Sequence, residues 1–486
     1  MRRTAFRSLA ATSIALAALF VAGIVRSARR PRYGGTLRTE IGAAVASLNP
    51  AAPFANTAES AAKEKLMALA FDRLVTFDER GQLMPGLAIS WQTGPDHKKW
   101  TFRLRENVRF HNGSVFSLDD IDSILKTANP GWRIATEVES VGGFQEEIVE
   151  IETDSPAPGL PAELASPRNF IFRRNADGSL VGTGPFKIDS WEAGRRAVFA
   201  AFEGNWQGRP FVDSIEVQMG RGARDRLIDL EVGKTDFVEI PPEEARRAMD
   251  RGVRVSASQP DELLALVFTA GRPVAEDART RHALASSIDR AAIVNFILQK
   301  QGEAAGGLLP QWSTGTAFLF STVPDSAQAK QLASQINPAP ALLLGYDGAD
   351  ALEKAVAERI VVNARDAGLA VRAQPVTAQA KASSQFDARL IRLRMDSPLP
   401  RPALAGFLAA LAPMTGLDLA PLLDEATPQD IYERERAAVD SCRVIPLVHL
   451  ADAYGLSPRV KDWVAPPAGG GQGWPFANVW LEGEGR

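Results

Sequence analysis

The sequence predicts an α/β protein built from more than one domain, and three observations carry that expectation. The chain has 486 residues, 45% hydrophobic and 23% charged, beyond the size at which one hydrophobic core keeps growing. Ala341–Tyr346 and Leu369–Gln374 are short apolar runs, and the helical pattern of Ala351–Ala367 lies between them, which is a βαβ unit. Val181–Phe202 reads as a hairpin. Gly182-Thr183-Gly184-Pro185 gives a rigid turn, with glycines free to take positive φ. Phe186, Ile188 and Ser190 then alternate with Lys187, Asp189 and Trp191. Glu192-Ala193-Gly194 is the tight connection and Ala197–Phe202 the returning strand.

Charge and cysteine content exclude several classes. The formal net charge is −3 with pI near 6, and no basic stripe interleaves with aromatics, so nucleic acid is not an expected partner. Cys442, the only cysteine, cannot form an internal disulfide or a CxxC metal site. Within Cys442–Leu447 it reads as a buried strand thiol.

The N-terminus reads as an export signal. Arg2, Arg3 and Arg7 precede an apolar run from Leu9 to Val25, with Arg26, Arg29 and Arg30 after it. Arg26-Ser27-Ala28 is a poor cleavage site, so residues 1–30 are a signal peptide or an uncleaved membrane anchor. The rest is expected outside the cytoplasmic membrane, in the periplasm.

Taken in order, Gly34–Glu40 suggests a strand, Ala58–Ala70 a helix and Leu74–Phe77 a strand. Lys99–Arg105 alternates as a strand. Ser117 is the expected N-cap of a helix through Lys126, with Asp119 and Asp120 in its first turn. Leu227–Val232 reads as a helix. Ala278–Gln299 reads as one amphipathic helix, with Leu284, Ile288, Ala292, Phe296 and Ile297 on one side. Val444–Leu450 is an apolar strand. Gly469–Gly473 is a linker pattern before Trp474–Trp480, which is expected to dock on the first lobe of the protein.

Several ordered motifs carry a family resemblance. Tyr33-Gly-Gly-Thr-Leu, Leu48-Asn49-Pro50, Leu87–Trp91, Trp100-Thr-Phe-Arg-Leu-Arg, Val108-Arg-Phe-His-Asn-Gly, Gly182-Thr-Gly-Pro-Phe and Arg281–Arg290 together resemble the family 5 solute-binding proteins of peptide and nickel ABC importers. The resemblance implies a bilobed fold of the periplasmic-binding-protein type II class with an additional domain. It implies lobe I from residues 33–57, 179–263 and 456–486, the additional domain from 58–178 and lobe II from 264–455. It implies a peptide or similar small solute held between the lobes, ABC permease subunits as partners, and a monomer; no cofactor is expected, and no metal, since no His, Cys or carboxylate cluster sits at ligand spacing beside His111.

Departures bear on the ligand. Peptide binders of the family present an Asn after the strand that crosses between lobes, where this chain has Val267-Phe268-Thr269-Ala270-Gly271. Phe268 and Thr269 are therefore taken as ligand-side residues. The family's Trp-rich segment, whose Asp holds the ligand's ammonium, falls at Phe386–Pro398. The Trp is missing, Asp396 is the matching acid, and Arg392 or Arg394 beside it can neutralise it instead. Arg394 is the second charged candidate and Trp312 a candidate pocket wall.

No catalytic constellation is visible. His97, His111, His282 and His449 are scattered, His111 reads as a turn-stabilising residue, and no His-Glu-x-x-His, Gly-x-Ser-x-Gly or phosphate-cradling loop occurs. The expected function is a non-enzymatic binding protein for transport. A membrane-anchored sensor or scaffold on the same fold is the alternative, followed by a secreted hydrolase.

Overall fold

A computed structural model describes residues 30–483 apart from 51, 53–56, 79, 142–143, 316–319, 337–340, 377–384, 419–421, 423–425 and 470–472. The N-terminal apolar segment and the centre of the Gly469–Gly473 run therefore lie outside the described residues. The hairpin forms as the alternation requires. Phe186–Glu192 pairs antiparallel with Arg196–Ala201, and Gly194 takes φ +68° in the connecting turn. Gly182 and Gly184 do not have positive φ, contrary to the expectation from sequence. They are glycine because of a close approach: a Cβ would meet Ala70 O at 2.1 Å from Gly182 and Ala70 C at 2.6 Å from Gly184.

The hairpin is one edge of a seven-stranded sheet, in the order 186–192, 196–201, 214–218, 36–40, 237–240, 453–456, 254–257. Thr36–Glu40 runs parallel to both its neighbours. Its alternation sends Leu37 into the core and leaves Arg38 half-buried on the other face. One face packs on the helix Thr57–Ala70 through Ala62, Leu66, Met67 and Leu69, and on Trp474, Phe476, Val479 and Leu481 of the C-terminal segment. Phe237 is fully buried here, with ring centroids of Tyr454, Trp463, Trp474 and Phe476 within 5.5 Å of its own. Burying one such side chain contributes about 1.5–3 kcal/mol.

A second sheet of six strands has the order 303–304, 444–450, 262–268, 388–394, 342–347, 371–376. The βαβ unit is present: Leu342–Asp347 lies parallel to Val371–Val376, and Asp350 caps the intervening helix Ala351–Asp366 by accepting from the N–H groups of Leu352 and Glu353. A four-stranded sheet, order 88–93, 99–104, 144–152, 133–141, carries the helix Leu118–Ala128. Asp120 closes its N-terminus by accepting from the Ser117 N–H and hydroxyl.

Two expectations change. The pattern over Ala278–Gln299 is not one helix. It breaks at Ile288, which is extended, because Asp289 turns its carboxylate onto the Ala292 N–H and starts a new turn that passes into a π-helix at Ile293–Ile297. The break rotates the register, and Phe296 ends 78% exposed. Cys442 sits at a turn with φ +49° before the strand Val444–Leu450, not in it. Its Sγ lies 3.2 Å from His282 Nδ1, and burial pushes the thiol up to about 11, which disfavours the reactive thiolate.

Candidate ligand-binding site

Two short segments join the large sheets. Residues 258–261 connect Arg254–Ala257 to Glu262–Phe268, and residues 451–452 connect Val444–Leu450 to Ala453–Leu456. They run side by side and are tied together. Ser258 N–H donates to Asp452 O (3.0 Å), Asp261 N–H to Leu450 O (3.1 Å), and Asp452 N–H to Ser258 Oγ (3.1 Å). Paired crossings of this kind let two rigid units rotate about a few backbone angles.

Each crossing carries an aspartate, and both point at Arg394 from the end of the strand Ala388–Arg394. Arg394 Nη1 lies 3.1 Å from Asp261 Oδ2 and Nη2 lies 2.7 Å from Asp452 Oδ1, with Glu262 at 3.4 Å. Lys65 of the helix Thr57–Ala70 reaches Asp452 at 2.8 Å and Glu239 at 2.9 Å, and the Tyr454 hydroxyl donates to Asp452 at 3.1 Å. Arg392 is taken up by Glu262 and by Asp350 at 2.7 Å. Burial pushes the Asp261 carboxyl up to about 6, against the pull of Arg394. Burial acts on Asp452 too, yet Arg394 and Lys65 together hold it well below the usual carboxylate range. The junction between the sheets is thus a buried network in which each cation already has its anions.

One loop beyond this network, residues 395–401 meet three neighbours. Pro398 packs over Gly81, where a Cβ would lie 3.0 Å from it, and Arg401 reaches Gly159. Leu399 packs with Phe77, Ala162 and Ala165. On the other side Gly469, which has φ +75°, lies so close that a Cβ would meet the Ser397 carbonyl carbon at 2.7 Å. Asp396 is exposed in this meeting place, with its carboxylate against Gly406. Desolvation raises its pKa, and a hydrogen bond from its own backbone N–H and the charge of Arg168 partly offset that.

The sequence-based candidates separate accordingly. Phe268 is fully buried in the core beneath the six-stranded sheet, among Leu264, Leu266 and Leu284, so it is a packing residue. Thr269 is half-buried and its N–H donates to Asp387 O at 2.9 Å. Trp312 donates its indole N–H to Pro260 O at 2.6 Å, which attaches it to a crossing segment. Arg394 is spent on the network and does not neutralise Asp396; Arg392 does not either. Asp396 is an exposed residue outside this network, and no ion pair holds it among the described residues. Lys65, Asp261 and Asp452 were missed by sequence reasoning, since no local pattern links positions so far apart in the chain.

The hinge and facing sheets set the frame for comparison with known proteins. Residues 82–411 match the model of the bacterial extracellular solute-binding proteins, family 5 Middle. The chain belongs to this family. It is 24% identical over 337 residues to the nickel-binding periplasmic protein of Escherichia coli, covering 62% of this chain and 64% of that protein. It is 23% identical over 279 residues to the dipeptide-binding protein of the same organism, covering 49% of this chain and 52% of that one. The chain thus spans from about half to just under two thirds of these curated relatives. Among solved structures, NikA from Brucella suis with Fe(III)-EDTA superposes with TM-score 0.76 at 21% identity, over 92% of this chain and 100% of that one. AppA from Bacillus subtilis with a nonapeptide gives 0.73 at 15% identity, over 93% and 100%. These likenesses show the fold, a bilobed α/β binding-protein architecture.

Proposed function

We propose that this family member is the extracytoplasmic substrate-binding protein of an ABC importer, taking a peptide or similar small solute between its lobes and presenting it to membrane permease subunits. The observation that carries the reading is the pair of hydrogen-bonded crossings at 258–261 and 451–452 between two separately cored sheets. Closure about that hinge expels water from the gap, and a ligand drives it by binding the closed arrangement better than the open one. Lobe I comprises the seven-stranded sheet with the C-terminal segment, and lobe II the six-stranded sheet. The additional domain comprises the four-stranded sheet, and the packing of Ala62, Leu66, Met67 and Leu69 in the first core supports counting the helix Thr57–Ala70 with lobe I.

The protein acts as a monomer in the periplasm and binds without turning its ligand over. The N-terminal basic and apolar segment exports it or tethers it; among the described residues no helix is long and apolar enough to cross a membrane. Asp396 takes the ligand's ammonium group, a role supported by its exposure and by the absence of an ion pair to it among the described residues. A thermal-shift screen of peptides, nickel chelates, opines and sugars tests the reading, since a ligand at a hundred times its Kd stabilises by about 2.7 kcal/mol. A peptide hit should weaken in Asp396→Asn, whereas its N-acetylated form should bind both proteins equally. Silence across the whole panel overturns the transport reading.

A further inference from the structure

The face of the seven-stranded sheet opposite the aromatic core carries a cavity of about 290 Å3, lined by Arg38, Glu40, Glu216, Gln218, Arg221 and Lys234 among others. Strand alternation builds it. Arg38 and Glu40 project from Thr36–Glu40 to this side, and Glu216 and Gln218 project from the neighbouring Ser214–Gln218, with which the register pairs them. Arg221 and Lys234 close its ends from the segments flanking the helix Ala223–Glu231.

The cations of this cavity are committed. Arg38 pairs with Asp236 at 3.2 Å, Arg221 and Lys234 with Asp229 at 2.8 and 3.2 Å, and nearby Arg196 with Glu216 at 3.3 Å. Glu40 is different. It is 7% exposed, its Oε2 accepts no hydrogen bond, and the Arg221 Nε is 3.8 Å away. A buried carboxylate oxygen without a donor is costly. Burial raises the Glu40 pKa, Asp229 raises it further through its charge and a side-chain hydrogen bond between the two carboxyl groups, and Arg221 and Arg226 pull it back, so the Glu40–Asp229 pair carries excess negative charge that a cation would relieve.

We infer that this cavity binds a small solute carrying a primary ammonium group, of about the size of a free amino acid, at a place separate from the gap between the lobes. The ammonium supplies the donor that Glu40 Oε2 lacks, and the Glu216 carboxylate and Gln218 carbonyl are further acceptors on the same wall. An ammonium suits the site better than a divalent cation, because no group of three His, Cys, Asp or Glu side chains suited to holding a metal occurs among the described residues. The volume is at the lower end of small-ligand pockets, which favours amino-acid size over a peptide.

Isothermal titration of the purified full chain with ethanolamine, lysine and ethylammonium, with acetate as the anion control, tests this. Saturable binding of the amines but not of acetate is expected, weakened at least about tenfold in Glu40→Gln. If Glu40→Gln does not fold by circular dichroism, Glu216→Gln takes its place and must weaken binding. No saturable amine binding at millimolar concentration, equal binding in the folded variant, or binding of acetate overturns the inference. So does loss confined to Asp396→Asn, which places the amine between the lobes. Amine binding lost in Glu40→Gln while peptide binding persists separates this cavity from the transport reading.

Discussion

Replacing Arg394 by Met keeps the length of the side chain and removes the one cation shared by both crossings. Asp452 retains Lys65 and the Tyr454 hydroxyl, and Glu262 retains Arg392. Among the described residues Asp261 keeps only the Gly469 N–H at 3.1 Å. Removing one partner of a buried ion pair costs about 3–5 kcal/mol. The 19% side-chain exposure of Arg394 and the partners left to Asp452 place the expected loss at the lower end, about 3 kcal/mol near pH 7. The sign with pH follows from Asp261. Its carboxyl is already raised to about 6, and loss of the guanidinium raises it further above its unfolded value. The folded variant then holds a proton that both the unfolded chain and, above about pH 6, the folded parent have released, so the penalty relative to the parent grows as pH rises from about 6 through the new folded pKa and shrinks on acidification. Urea unfolding of Arg394→Met, Asp261→Asn and the double variant between pH 5 and 8 measures this. The double variant should recover at least about 1 kcal/mol relative to the sum of the single changes. A loss below about 1 kcal/mol in Arg394→Met, or strict additivity, refutes the view that the network holds the hinge.

Two further outcomes follow from the packing. Gly184→Ala places a methyl 2.6 Å from the Ala70 carbonyl carbon and should cost about 1–3 kcal/mol by urea unfolding, without altering which solute binds. An unchanged midpoint would contradict the close-approach explanation. His449 is buried, its Nε2 is 3.0 Å from Leu308 O, and burial lowers its pKa to about 4. Against an unfolded value near 6.5, its neutral form contributes stability that is complete above about pH 6.5 and lost as pH falls toward 4. The difference between parent and His449→Gln should therefore narrow or reverse by up to about 3 kcal/mol over that window. The comparison needs the variant, because Glu353 and Glu435, both raised to about 7 by burial, shift the parent the opposite way.

Features held by neighbouring residues were legible from the chain alone. The hairpin turn at Gly194, the βαβ unit after Ala341, and the Ser117 and Asp120 helix start all rest on interactions spanning a few residues. Phe268 was legible too, and was misplaced. Leu263–Phe268 is a run of six consecutive buried residues, the pattern of a strand covered on both faces, which points to the core and away from a ligand. Ala278–Gln299 failed for a different reason. Apolar spacing continues through Ile288, but Asp289 offers its carboxylate to a nearby backbone N–H, and that local competition ends the helix.

The network was not legible because it exists only once both sheets have formed, and its completeness bears on where a ligand can act. Lys65, Arg392 and Arg394 are matched by Glu239, Asp261, Glu262, Asp350 and Asp452, so a ligand anion offered to these cations would have to displace carboxylates already desolvated beside them. Asp396 is two residues past Arg394 and outside that set. Arg168 is the cation whose charge acts on it, and on the proposed reading an arriving ammonium meets a carboxylate that no ion pair holds among the described residues. On the proposed transport reading, ligand preference is therefore tested at the 395–401 loop, and the network behind it is tested by its effect on the stability of the crossings.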